Sequence, residues 1–215
     1  QLRKDLTAAG YQQSSYTDAF FLTLVHEFGH TLGLQHTFTS ATMSTAITRA
    51  TTRGAPLAAD DVSGISLLYP AGGYAASTGS ITGQVIGAAN GAGVNLASVV
   101  ALSTSGVAIS GMTRPDGTYE IDGIPPGQYY IYVHPLPPPQ TGEATPANIV
   151  IPADQQKDIF TANTSFVTQF FPGTQDWTQA VPASVAAGNV IKNVNFAVTA
   201  SAGPAVYAME HYGTR

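Results

Sequence analysis

The sequence predicts a multidomain α+β chain, with a helical first third followed by an antiparallel β-sandwich. Three observations carry this. Between residues 17 and 35 apolar side chains recur at helical spacing; after Tyr69 the pattern changes to short apolar runs of strand length; and turn motifs such as "NGAG", "PDG" and "PPG" separate those runs. The 215 residues are 44% hydrophobic, enough to fill real cores, and the abundance of Gly (22) and Pro (14) favours turn-dense β architecture.

The first helix is expected from Thr17 to about Gln35. Phe21, Leu24, Val25, Phe28 and Leu32 share a face, Thr17 stands as N-cap and Asp18 falls in the first turn. A second, shorter helix is expected within "APLAADDVSGISLLY". There Asp60 and Asp61 sit in the first turn, and Val62, Ile65 and Leu68 share one face. Residues 71–79 are small and uncharged and read as a linker between a region 1–70 and a sandwich 80–200.

The expected strands are "SITGQVI", "ASVVALS", "GVAISGM", "TYEI", "QYYIYV", "NIVIP", "FVTQFF" and "VIKNVNFAV". "HPLPPPQTGEATPA" holds too much proline for a central strand and reads as a projecting loop stiffened as polyproline II. Residues 201–215 read as a tail or the start of a further strand.

Charge and hydropathy exclude two classes of partner. The net charge of −5 is spread thinly and the lysines and arginines are scattered singly, so no basic stripe can neutralise a nucleic-acid backbone. No apolar run approaches the length that spans a bilayer. With no cysteine, no disulfide braces the fold.

The chemistry concentrates in "HEFGHTLGLQH", residues 26–36, which holds three of the five histidines. His26 and His30, four residues apart on a helix, project one turn apart from nearly the same side. Unbroken helix would carry His36 about 240° away from His30. Gly33 supplies the stop that lets His36 return, because glycine readily adopts the left-handed conformation that ends a helix. Three neutral imidazoles leave one tetrahedral position open, the ligand set of catalytic zinc. Glu27 is placed to act as general base and later as acid. At this chain's own residue frequencies the constellation arises by chance in roughly five of a million such chains, which outweighs the bland reading of packed histidines. His134 and His211 have no spaced partners and read as structural.

The pattern HExxHxxGxxH formed by His26, Glu27, His30, Gly33 and His36 resembles the metzincin metallopeptidases. "SATMS" is similar to their Met-turn, and "PLAADDVSGISLLYP" to the closing helix of the matrixin branch. The resemblance covers about residues 15 to 70. It implies that His26, His30 and His36 ligate Zn2+, that Glu27 is catalytic, that Gly33 and Met43 support the site, and that the substrate is a protein or peptide. It also implies a secreted or extracellular bacterial protein. Ser44 and Thr45 follow Met43 where many matrixins carry Tyr-Pro. Only about twenty residues precede the helix, too few for the sheet such a domain carries upstream, so region 1–70 reads as an incomplete C-terminal half and the chain as a fragment of a longer protein. Asp60 and Asp61 either tie the closing helix to the Met-turn or serve as helix-capping charge.

Residues 79–134 resemble the carboxypeptidase regulatory-like, transthyretin-like β-sandwich modules, through the opening strand, the "PDGTYEI" hairpin and "IPPGQYYIYV". Asp116 and Asp122 are too few for a calcium shell, and Asp116 reads as turn chemistry. Tyr119, Tyr129, Tyr130 and Tyr132 alternate between core and surface, and Trp177 reads as a packing anchor. The expected function is a zinc-dependent metalloendopeptidase with an accessory sandwich, through which contact with a surface or polysaccharide stays open. The rivals are a non-catalytic adhesion or surface-binding protein with a vestigial zinc site, and a structural zinc clip.

Overall fold

A computed structural model describes residues 16–44, 49–135 and 165–201. Helix α1 (Tyr16–Thr31) follows the expected apolar period but stops short of Gln35. Gly33 takes φ +99°, its N–H donates to the His30 carbonyl, and Leu34 N reaches back to Gly29 O, so the chain turns off the helix axis here. Thr17 lies just inside the helix rather than capping it. Of the apolar side chains Leu22 is buried, whereas Leu24, Phe28 and Leu32 are exposed, Phe28 to 64%.

Helix α2 (Ala59–Leu68) inverts its expected amphipathicity, since Val62 and Leu68 are exposed while Asp61 and Ser63 are buried. The reason is that this helix docks through hydrogen bonds. Ser63 Oγ donates to the Asp122 carbonyl at 2.9 Å, and both aspartates accept from the backbone of other segments. The stretch read as a linker contains a one-turn helix, α3 (Tyr74–Ser77), whose Tyr74 hydroxyl donates to Gly123 O. Gly123 has φ +71°, and a side chain there would collide with both Ser63 and Tyr74.

Among the described residues nine strands follow: β1 (Gly79–Gly87), β2 (Ser98–Ser103), β3 (Ala108–Met112), β4 (Thr118–Ile124), β5 (Gly127–His134), β6 (Gln169–Phe170), β7 (Ala183–Val185), β8 (Val190–Ile191) and β9 (Phe196–Val198). One sheet runs β4-β1-β8 with β9 also on β1; the other runs β3-β2-β5-β6 with β7 on β5. Ile81 opposes Ile121 in the first sheet, and Val99 and Ala101 oppose Val133 and Ile131 in the second. Their inward side chains, joined by Val85, Tyr119 and Phe196, make one continuous core. β2 is buried on both faces, because Val100 packs with Ala108 and Tyr132 in a second, smaller cluster.

Several details depart from the expected sandwich. β8 and β9 lie parallel to β1, so the first sheet is mixed rather than purely antiparallel. The chain leaves the second sheet at β7, crosses over, and meets β1 running in the same direction. "VIKNVNFAV" is two strands, because Asn193 adopts φ +63° and breaks the ladder, with Val194 N donating to Thr82 O across the break. "FVTQFF" contributes only its last part to a ladder, Phe166 making an isolated bridge to Ala200, and β7 is too short and too close to Pro182 to have been expected. "NIVIP", most of the proline-rich stretch, His211 and residues 202–215 lie outside the described residues.

Candidate metal centre

α1 fixes two of the three histidines and the turn after it delivers the third. The Nε2 atom of His26 lies 3.1 Å from that of His30, and His36 Nε2 lies 3.2 Å from each of the other two. Ligands about 2.0–2.1 Å from a tetrahedral ion stand about 3.3 Å apart, so the triangle has the size such a site requires. Among the described residues these three form the group of metal-ligating side chains able to hold an ion.

The second ring nitrogens show which lone pairs converge. His26 Nδ1 lies 2.7 Å from Thr42 O and His30 Nδ1 lies 2.9 Å from Leu34 O. A carbonyl oxygen only accepts, so both Nδ1 atoms carry hydrogen and, in the neutral rings, both Nε2 atoms present bare lone pairs to each other. Two lone pairs at this separation repel unless a cation lies between them. Backbone-oriented imidazoles are the usual outer support of metal ligands. Burial, above all, holds His26 and His36 below the ordinary imidazole value, and the neighbouring imidazoles and Arg49 add to it. The neutral, metal-binding form is therefore the one favoured near neutral pH. The residues fit a zinc ion.

The loop behind the histidines is held from helix α2. Met43 is buried at 3% exposure, and its sulfur faces Gly29, where a side chain would collide with it. Asp61 accepts from Thr42 N and Met43 N, each at 2.9 Å, and from Ala58 N at 2.8 Å. One carboxylate thus does both things expected of the aspartate pair, securing the Met43 turn and capping α2. Asp60 points elsewhere, to Thr37, Thr39 and Ser110 of β3. Burial raises its carboxyl above the ordinary value, opposed by those hydrogen bonds.

Glu27 is exposed on α1 beside His26, and its charge acts on His26, His36 and Arg49. Arg49, half-buried, donates from Nη2 to Ser44 O at 3.2 Å and brings a cation to this edge of the site. Sequence reasoning missed Arg49, Gly29 and Ser110. The glycine inside "HEFGH" is the one signal of this in the sequence, since a helix interior disfavours glycine unless something packs against it.

Asp116 Oδ1 accepts from Thr118 N at 2.9 Å and Thr118 Oγ1 at 2.7 Å, the turn chemistry expected of it, and the Asp122 carbonyl receives Ser63. Tyr119, Tyr129 and Tyr132 are buried and Tyr130 is half-buried. Trp177 is not a packing anchor: it is 70% exposed, on a 3-10 turn that Asp176 caps by accepting from Thr178 N. His134 is buried, with Nδ1 donating to Pro135 O.

Residues 5–70 match the matrixin family and residues 80–163 match the carboxypeptidase regulatory-like domain, the two families resembled in the sequence and in the same order. No curated protein matches the chain. Among solved structures, fervidolysin from Fervidobacterium pennivorans, a keratinolytic enzyme related to subtilisin, shares 16% identity over 54% of this chain, with a TM-score of 0.27. The aligned part spans 16% of that protein's length, and a likeness this low carries no argument. No helix among the described residues is long and apolar enough to cross a membrane.

Proposed function

We propose that this chain carries the zinc-binding half of a matrixin-type metalloendopeptidase, joined to an accessory β-sandwich and exported by its parent bacterium. The observation that supports this best is the triangle of Nε2 atoms with two of its rings locked by backbone carbonyls. His26, His30 and His36 would hold the ion. When bound, zinc supplies Lewis acidity, lowering the pKa of water and polarising a carbonyl oxygen.

The protein's own part in hydrolysis falls to few groups. Glu27 is free of the ligand triangle and open to solvent, so it takes a proton from the attacking water and passes it to the leaving amine. The helix positions it, because it follows His26 directly on α1. Arg49 adds positive charge near the site, where it acts on His26, His36 and Glu27. Protein or peptide is the substrate, and the sandwich's contact with a surface or polysaccharide is part of the same proposal.

The test compares the chain with its Glu27→Gln variant on an unfolded casein-like substrate, with zinc counted in both. The proposal expects about one zinc per chain in each and a loss of cleavage of about 10²-fold or more in the variant. Surviving cleavage would refute Glu27 as the base. A zinc-loaded wild type that cleaves nothing but binds polysaccharide or a surface protein would favour the adhesion reading. Chelation that unfolds region 1–70 without altering any activity would favour the structural clip.

A further inference from the structure

Two of the three histidines are fixed by helix α1, but His36 lies in the loop after it and needs support from elsewhere. Its neighbour Thr37 donates to Asp60 Oδ2 at 2.5 Å, and Thr39 Oγ1 donates to the same oxygen at 2.8 Å. The other side of that carboxylate belongs to the sandwich. Ser110 of β3 gives its N–H to Asp60 Oδ1 at 2.9 Å and its hydroxyl to Oδ2 at 3.1 Å, and the Ser110 and Thr37 hydroxyl oxygens lie 2.9 Å apart. Ser110 is 73 residues from Thr37 in sequence, so this is a contact between the two parts of the chain.

Apolar packing does not by itself set the loop against the sandwich here. A cavity of about 240 Å³, with His36, Leu34, Phe38, Met43 and Met112 in its wall, lies in the same seam. The polar cluster is what spans it. A carboxylate suits the position because it only accepts, and four donors from two segments, the His36 loop and strand β3, converge on its two oxygens.

We propose that Asp60 and Ser110 are positioning residues for the metal centre: through them strand β3 holds the His36 loop, and the sandwich is a structural component of the site. This rests on the metal-binding reading above, and it assigns the sandwich a role within region 1–70 besides any ligand of its own. Neither residue touches the ion; both act through Thr37.

The experiment uses the full chain with Asp60→Asn and Ser110→Ala, and His30→Ala as a ligand control. Zinc and cobalt affinities are measured by competition with a chelator, together with the visible absorption of the cobalt form, which reports ligand geometry. An amide at position 60 turns N–H groups toward donors, so Asp60→Asn should weaken zinc binding about 10- to 100-fold; Ser110→Ala should weaken it about tenfold, with the cobalt bands shifted in both. Ser110→Ala removes a single hydroxyl from β3 and leaves the sandwich core untouched, so it decides the matter alone if Asp60→Asn does not fold. Folded variants that keep wild-type affinity and an unshifted cobalt spectrum, while His30→Ala loses the metal, overturn this inference and leave the metal reading standing. A wild-type chain that binds neither ion overturns both.

Discussion

The Cα of Gly29 faces the sulfur of Met43 with no room between them for a methyl group. A glycine-to-alanine change in a helix ordinarily stabilises by about 0.5–1 kcal/mol. Here the added carbon would displace a buried thioether, at a cost of about 1–3 kcal/mol. We expect Gly29→Ala to destabilise region 1–70 in urea titration. The same change in a Met43→Ala background should be neutral or stabilising, because the obstacle is gone. Equal losses in both backgrounds would show that the two residues are not coupled.

Asp61→Ala removes the acceptor of three backbone N–H groups, those of Thr42, Met43 and Ala58. The donors of Thr42 and Met43 are buried and that of Ala58 is half-buried; each buried donor left unmade costs about 1–3 kcal/mol, so a loss of roughly 2 kcal/mol or more is expected. It should be accompanied by faster amide exchange at Thr42 and Met43. A change below about 1 kcal/mol would mean that water replaces the carboxylate there.

The hydroxyl of Tyr119 is buried and donates to Val194 O at 2.6 Å, linking β4 to the segment between β8 and β9. Burial pushes this phenol well above its ordinary pKa, so it stays a donor across the accessible pH range. Tyr119→Phe should cost about 1–2 kcal/mol of sandwich stability, through the stranded carbonyl, with little change in core volume. Thermal unfolding of the two proteins side by side measures it.

His134 gives the sandwich a pH dependence. Burial lowers its pKa to about 4 from the ordinary 6.5. The unfolded chain therefore binds more protons than the folded one between these values, and stability rises with pH across that window. Acidifying from about 6.5 to about 4 should remove on the order of 3 kcal/mol contributed by this residue. A His134→Gln variant, whatever its baseline stability, should lack that component. Parallel curves for the two proteins from pH 7 to pH 4 would refute the assignment.

What could be read from the sequence depended on how local the cause was. The histidine triad was legible because helix period and a glycine stop fix where residues 26, 30 and 36 can go. Strands β1 to β5 were legible from alternation and turn motifs, to within two residues at most ends. The inverted face of α2 was not, since Val62 and Leu68 carry the helical period while the partners of Asp61 and Ser63 lie 19 and 59 residues away. The Ser110 contact was hidden for the same reason, and Trp177 looked like core because aromatic bulk is ordinarily buried.

The arrangement around β1 bears on how the protein emerges from the ribosome. β4 can add to one edge of β1 soon after it is made, but the other edge waits for β8 and β9. Residue 190 leaves the tunnel roughly a hundred residues after residue 87, which at about 5–20 residues per second is about 5–20 seconds of an unpaired strand edge. During translation the nascent sandwich is thus open to illegitimate strand partners, and it closes only when almost all of this sequence has been synthesised.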